Sequence, residues 1–194
     1  MSLNFTAFFE KQSEKKQFGI GFIFLLIGSL LGYIFQCRFD GILDLHIITH
    51  YTCFTALIDN ILNTVILSIA LFLLGKYLNS KTRVIDILNL SLTSRIPFYF
   101  LPLTNINNYG NYISNKMLKT FQKGETLNLS LPEIIYLAID VAVSIASLIL
   151  FFIILWLGFK IAVNPKNKYS LVLLITTVII VEIITKPIIY LINP

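Results

Sequence analysis

Long runs of apolar residues, separated by short polar segments, dominate this chain of 194 residues. A helix needs roughly 20 mainly apolar residues to cross the hydrocarbon core of a bilayer. The runs predict five membrane spans, over about residues 18–35, 55–74, 85–103, 132–159 and 171–192. The predicted fold class is therefore all-α: a polytopic integral membrane protein whose single domain, residues 1–194, is a bundle of about five transmembrane helices.

The third predicted span is the most polar, because Asp86, Asn89, Arg95 and prolines interrupt it. Proline removes a backbone donor and kinks a helix, and a bilayer tolerates this only where neighbours satisfy the freed carbonyl. We therefore expect kinks at Pro97 in this span and at Pro187 in the fifth. We also expect other helices to pack closely around the third span.

The two longer connectors are too polar to cross a bilayer. Residues 38–54 predict a connector with a short amphipathic helix at the membrane interface. Residues 104–131 predict a long polar loop in which the stretch 114–123 forms one or two amphipathic turns.

Composition narrows the function classes. The chain is 56% hydrophobic and only 13% charged, whereas a soluble domain is usually about 25% charged. Its net charge of +5 comes mostly from short loops and reads as a topology signal, so we expect no nucleic-acid partner. The motifs of nucleophilic catalysis and of phosphate loops are absent from the sequence, so we expect neither an enzyme nor a cofactor.

Lysine and arginine predict the orientation. A cytoplasmic amino terminus places nine of them inside: Lys11, Lys15, Lys16, Lys76, Lys81, Arg83, Lys160, Lys166 and Lys168. Only four then lie outside: Arg38, Lys116, Lys119 and Lys123. The positive-inside rule therefore predicts that residues 1–17 are cytoplasmic and that the carboxyl terminus is outside. A chain rich in Ile, Asn and Lys suits an AT-rich bacterial genome, so the predicted location is a bacterial inner membrane.

Ionisable residues inside the predicted spans form the main candidate site. At a rise of 1.5 Å per residue, Arg95 and Glu182 lie near mid-membrane and Asp140 in the outer half. A charge there costs several kcal/mol unless it is compensated. We therefore predict a polar cluster in which Arg95 faces Glu182 and Asp140, with Lys186 and Asp59 at its outer rim. The cluster is either a permanent network that fixes helix packing or a site for a substrate, ion or proton.

Two smaller features lie in the first connector. His46 and His50 are spaced i, i+4, so a helix would align both imidazoles for a metal ion; the alternative is a pair of interfacial histidines. Cys37 and Cys53 fall near the same membrane edge, and we expect free thiols, with a single disulfide as the alternative.

The stretch "LLGKYLNSKTRVIDILNLSLTSRIPFYFLPL", residues 73 to 103, resembles the Yip family of Ypt-interacting-type five-span membrane proteins, in its bacterial branch. Gly75, Lys81, Ser94 and Pro97 match its pattern of a glycine, a basic loop and a small residue before proline. The chain has one glycine where the family often has two, and it lacks the eukaryotic "DLYGP" motif. The resemblance implies five spans and a cytosolic amino terminus. In eukaryotic relatives it implies a link to small GTPases and vesicle trafficking.

Two functions follow as expectations. The first is a non-enzymatic scaffold or membrane-organising protein, trafficking-like in the sense of the resemblance. Its partners would be the lipid bilayer and a further copy or another membrane protein. The second is a small transporter or ion-coupled permease that uses Arg95, Asp140, Glu182 and Lys186 as its site.

Overall fold

The computed structural model describes residues 5–48 and 50–193. Its helices are α1 (Phe5–Lys11), α2 (Glu14–Ile34), α3 (Cys53–Leu78), α4 (Val84–Ser94), α5 (Tyr109–Lys123), α6 (Leu131–Val163) and α7 (Ser170–Ile192). A 3-10 segment, Ile96–Asn108, joins α4 to α5, and strands β1 (Cys37–Arg38) and β2 (His46–Ile47) pair as an antiparallel hairpin between α2 and α3.

The predicted all-α membrane bundle is confirmed. Five helical stretches are long and apolar enough to cross a membrane: Glu14–Ile34, Cys53–Leu78, Val84–Lys123, Leu131–Val163 and Ser170–Ile192. The chain is therefore a multi-pass membrane protein. We call the end of the bundle that carries β1 and β2 the hairpin end, and the opposite end the amino-terminal end.

Polar caps extend the helices beyond the predicted spans. Ser13 accepts a hydrogen bond from the amide of Lys16 and starts α2, and Thr52 forms a capping box with Thr55 at the start of α3. Ser130 and Glu133 form a second capping box at the start of α6. Such caps satisfy amides that a first helical turn leaves without partners, so each of these three helices begins directly after a polar capping residue.

The third span is a half-helix at the centre of the bundle. The helix α4 ends at Ser94, and the backbone then continues through Pro97 as the 3-10 segment. Together they pack against α2, α3 and α6. In the most apolar window of this span 61% of residues are buried, against 33% or less in the other four spans. The α-helix of this span ends before Pro97, whereas α7 continues through Pro187 to Ile192. The kinks expected at the two prolines stay predictions.

The connector between α2 and α3 folds into the bundle. Residues 37–42 are all buried, and the Phe39 ring meets the Tyr99 ring edge-on at 6.0 Å between centroids. The Asn63 amide donates a hydrogen bond of 2.7 Å to the Phe39 carbonyl. The prediction of an interfacial amphipathic helix was therefore wrong, because the polar groups of this connector bind α3 and α7 instead of water. We call residues 37–47 the hairpin segment.

The helix α6 contacts the bundle unevenly. Most of its buried residues lie between Phe151 and Val163, at the amino-terminal end, where they pack against α4 and α1. Towards the hairpin end, only Glu133 and Ser147 are buried on α6. The half of α6 before Phe151 therefore exposes most of its surface, although Ser147 contacts the 3-10 segment and Glu133 contacts α5.

Candidate functional site

Arg95 lies at the end of α4 and is fully buried. Its guanidinium donates to the backbone oxygen of Asn60 at 3.2 Å, to the Asn60 side-chain oxygen at 3.3 Å and to the Thr64 hydroxyl at 3.5 Å. The ring of Tyr99 lies 5.4 Å from the guanidinium carbon. All of these partners are neutral.

The predicted pairing of Arg95 with Glu182 and Asp140 does not form. None of the ion pairs among residues 5–48 and 50–193 involves Arg95. The reason is that α4 ends at this residue, so the side chain reaches α3. The negative end of the α4 dipole, the amide oxygens and the aromatic face each favour a cation. Arg95 is thus accommodated by dipoles.

Among the described residues, several buried polar atoms in this part of the bundle make no hydrogen bond. They are Nε of Arg95 itself, the hydroxyl of Tyr99 and the side-chain oxygen of Asn63. A buried group left without a partner costs about 1–3 kcal/mol. The surroundings of Arg95 are therefore incompletely satisfied, although they are closely packed.

Asp59 belongs to a second network, at the hairpin end. Its carboxylate accepts hydrogen bonds from Arg38 at 3.0 Å, from the Tyr51 hydroxyl at 2.7 Å and from the Asn193 amide at 2.6 Å. The Arg38 guanidinium also lies 4.7 Å from the centre of the Tyr190 ring. Arg38 and Asp59 are both at least nine-tenths buried. This ion pair ties the hairpin segment to α3.

Lys186 belongs to a third network. Its ammonium binds the carboxylate of Asp44 and lies 3.7 Å from that of Glu182. Glu182 in turn accepts a hydrogen bond of 2.8 Å from the amide of Leu43. The predicted single cluster is therefore split: Lys186 and Glu182 bind the hairpin segment, Asp59 binds Arg38, and Arg95 binds neutral groups of α3.

The charge on Lys186 stabilises the ionised form of Asp44. Burial opposes that ionisation, but the hydrogen bond from Lys186 and the nearby charges of His46 and Lys186 outweigh it. The pKa of Asp44 therefore lies below its ordinary value. The carboxylate stays ionised and keeps the hairpin segment attached to α7.

The hairpin brings together three potential metal ligands: Asp40, Asp44 and His46 offer ligand atoms within 4.8 Å of one another. His46 binds Asp40 at 2.8 Å, and Tyr190 donates to the other oxygen of Asp40 at 3.1 Å. The Lys186 ammonium already supplies a cation to this group through Asp44. The predicted pair of His46 and His50 on one helix does not form, because His46 lies in strand β2.

Both cysteines are free, as predicted. Cys37 is buried in strand β1, and burial raises the pKa of its thiol to about 12. Cys53, at the start of α3, is exposed. We therefore expect the buried Cys37 to react slowly with thiol reagents, because the thiolate is the reactive form.

Asp140 is separated from every other member of the predicted cluster. It lines a cavity of about 300 Å³ bounded by the hairpin segment, the 3-10 segment and the half of α6 before Phe151. We call it the α6 cavity. A second cavity of about 350 Å³ shares Asp140 and Thr104 with the first. None of the ion pairs in the described part of the chain includes Asp140.

Comparison of the chain with family models, with curated proteins and with solved structures finds no match. The Yip-family resemblance therefore stays a prediction. Its residues lie in α3, at the end of α4 and in the 3-10 segment. Gly75 lies where α3 passes Thr82, Ser94 ends α4, and Pro97 lies in the 3-10 segment.

Proposed function

We propose that this chain is a non-enzymatic integral membrane protein that binds other membrane-spanning chains, including further copies of itself, and so organises them in the bilayer. The observation that carries the proposal is that charged side chains of the bundle pair with one another and join its own segments. Arg38 with Asp59, and Lys186 with Asp44, each join the hairpin segment to a different helix. Arg38 and Asp59 are at least nine-tenths buried, so breaking that pair is costly and the pair favours one fixed arrangement. Lys186 and Asp44 are about one-third exposed and add a weaker contact.

The proposed contact surface is the exposed side of α6. Ala138, Ala142 and Ala146 follow one another at intervals of four residues, and all three are exposed. Only 17% of the most apolar window of α6 is buried, the lowest value among the five spans. Small residues at this spacing allow the backbone of another helix to approach closely within a bilayer. A partner helix would therefore pack along this alanine row.

The test is photo-crosslinking in the native membrane. A benzophenone amino acid replaces Ala142 on α6, and a control chain carries it at Ile69, a lipid-exposed position of α3 that is 55% exposed. We expect a discrete protein adduct from position 142 only, and its loss when Ala138 and Ala146 are both changed to leucine. Adducts with lipid alone at both positions would contradict the proposal.

The proposal includes the orientation and location predicted above, with a cytoplasmic amino terminus in a bacterial inner membrane. The support is the position of the nine inward lysines and arginines. The turn that carries Lys81 and Arg83 and the turn that carries Lys166 and Lys168 both lie at the amino-terminal end. The hairpin end would then face away from the cytoplasm.

One observation favours a small permease as the second candidate. The helix α4 stops inside the bundle, and interrupted helices commonly carry the substrate sites of transporters. Ser94 lies at this break and is fully buried. In a chain with Cys37→Ser and Cys53→Ser, labelling of Ser94→Cys by a small water-soluble thiol reagent would support a route to the break. Absence of labelling, with labelling of Tyr77→Cys as the exposed control, would favour the scaffold.

A further inference from the structure

The α6 cavity has the dimensions and lining of a small ligand pocket. Its volume of about 300 Å³ lies at the lower end of the range for ligand sites. Phe98 and Leu101 line it from the 3-10 segment, and Leu148 lines it from α6. Ser147 holds the walls together, because its hydroxyl lies 3.4 Å from the Pro97 carbonyl. Most of the wall is therefore apolar.

Asp140 is unusual among the carboxylates of the helices that span the membrane. Asp59 pairs with Arg38, Glu133 with Lys116 and Glu182 with Lys186. Glu14 and Asp86 both pair with Arg83. Within the described residues, Asp140 is the one acidic side chain of these helices that has no cation in ion-pair range. A carboxylate inside a bilayer is costly without a counter-charge, and such residues mark ligand or ion sites.

The polar groups of the cavity match a single ammonium. Thr104 and Ser144 line the cavity together with Asp140, so two hydroxyl oxygens and one carboxylate can accept the three N–H bonds of a primary amine. Asp44 also lines the cavity, but its carboxylate is bound by Lys186, which lies near Glu182 as well. Asp140 is the lining carboxylate that has no cation in ion-pair range among the described residues, which suits a ligand with one positive charge and an apolar body.

We propose that the α6 cavity binds a lipophilic primary amine. Its ammonium binds Asp140, with Thr104 and Ser144 as further acceptors, and its apolar part lies against Phe98, Leu101 and Leu148. This site is separate from the alanine row on the exposed side of α6. The inference is therefore independent of the proposed scaffold function, and either can fail alone.

The experiment measures binding of dansylcadaverine, a fluorescent amphiphile with one primary amine, to the full chain in phosphatidylcholine nanodiscs. Its N-acetyl derivative, which has the same apolar body without the charge, is the control ligand. We expect saturable binding of the amine. We expect the dissociation constant to rise by about tenfold or more for Asp140→Asn and for the acetylated ligand, since a partly buried charge contact is lost. Glu125→Gln, which removes one exposed charge from the α5–α6 loop, should bind as the unmodified chain does.

A second pair of variants tests the cavity without changing charge. Ser144→Phe fills the cavity, whereas Val143→Phe adds similar bulk at the neighbouring position of α6, which is outside the lining. We expect at least about tenfold weaker binding for Ser144→Phe and no change for Val143→Phe. Size-exclusion chromatography checks the fold of each variant. The proposal would be overturned in favour of partition into the lipid if Asp140→Asn and Ser144→Phe bind the amine as tightly as the unmodified chain does. Binding of the acetylated ligand as tight as that of the amine would overturn it as well.

Discussion

Two buried arginines have different kinds of partner. Arg38, in the hairpin segment, binds the carboxylate of Asp59 inside a network that also contains Tyr51 and Asn193. Arg95, at the break of α4, binds the neutral groups of Asn60 and Thr64. In the first arrangement two opposite charges form an ion pair, so removing either one leaves the other buried without a counter-charge. The second holds one charge among dipoles, so removing it leaves no opposite charge behind.

The largest expected effect comes from removing each arginine. Arg38→Met leaves Asp59 buried without its cation, and we expect a loss of about 3–5 kcal/mol in the free energy of unfolding. Arg95→Met leaves only neutral acceptors without a partner, and it also removes the cost of burying a charge. We therefore expect a loss of only about 1 kcal/mol in the free energy of unfolding. Unfolding by sodium dodecyl sulfate in mixed micelles measures both. Equal losses would contradict the difference between the two sites.

A double-mutant cycle gives the control for Arg95. Since Arg95 and Glu182 make no ion pair, Arg95→Met and Glu182→Gln should have additive effects to within about 0.5 kcal/mol. Arg38→Met and Asp59→Asn should instead be strongly coupled. Coupling of more than about 1 kcal/mol between Arg95 and Glu182 would show that the acid compensates the arginine after all.

The next effect concerns the packing around Arg95. A methyl group on Gly28 would lie 2.7 Å from Cβ of Tyr99, whose ring covers the guanidinium, whereas one on Gly19 would have no heavy atom within 4 Å. We expect Gly28→Ala to lower the free energy of unfolding by about 1–3 kcal/mol. Gly19→Ala should be neutral or stabilise the helix by up to about 1 kcal/mol. If Gly28→Ala is also neutral, the Arg95 region is loosely packed.

These predictions depend on features that the sequence reveals unequally. Hydropathy alone located five spans, because a bilayer requires about 20 apolar residues in each. It also predicted that other helices pack closely around the span of Arg95, but it gave the arginine the wrong partners, since the position of a residue along a helix does not say which neighbour its side chain faces. Arg38 was missed as a buried residue because its connector is polar on average. The polar residues Asn60 and Asn63 near the start of the second span could have indicated that the connector folds into the bundle, since two amides inside a span need hydrogen-bond partners.

A smaller effect should appear when the hairpin end is acidified. The pKa of Asp44 is below its ordinary value, so its pairing with Lys186 stabilises the fold above the unfolded pKa of about 4. That contribution is lost as the pH falls through the lower folded value. Both side chains are about one-third exposed, so we expect less than about 1 kcal/mol. Melting curves between pH 3 and 6 should fall less steeply for Asp44→Asn. A control variant, Glu125→Gln, should follow the unmodified chain.

The last prediction involves no change in stability, because it concerns thiol labelling of the unmodified chain. It tests how closely the hairpin segment covers Arg38. Cys37 precedes Arg38 and is buried with a pKa near 12, whereas Cys53 is exposed. A membrane-impermeant maleimide on intact cells should label Cys53 and leave Cys37 unlabelled until detergent unfolds the chain. Cys53→Ser should then give no label. Rapid labelling of Cys37 would mean that the hairpin segment opens and exposes the Arg38 network to water. Labelling of Cys53 only after lysis would reverse the proposed orientation while leaving the difference between the arginines intact.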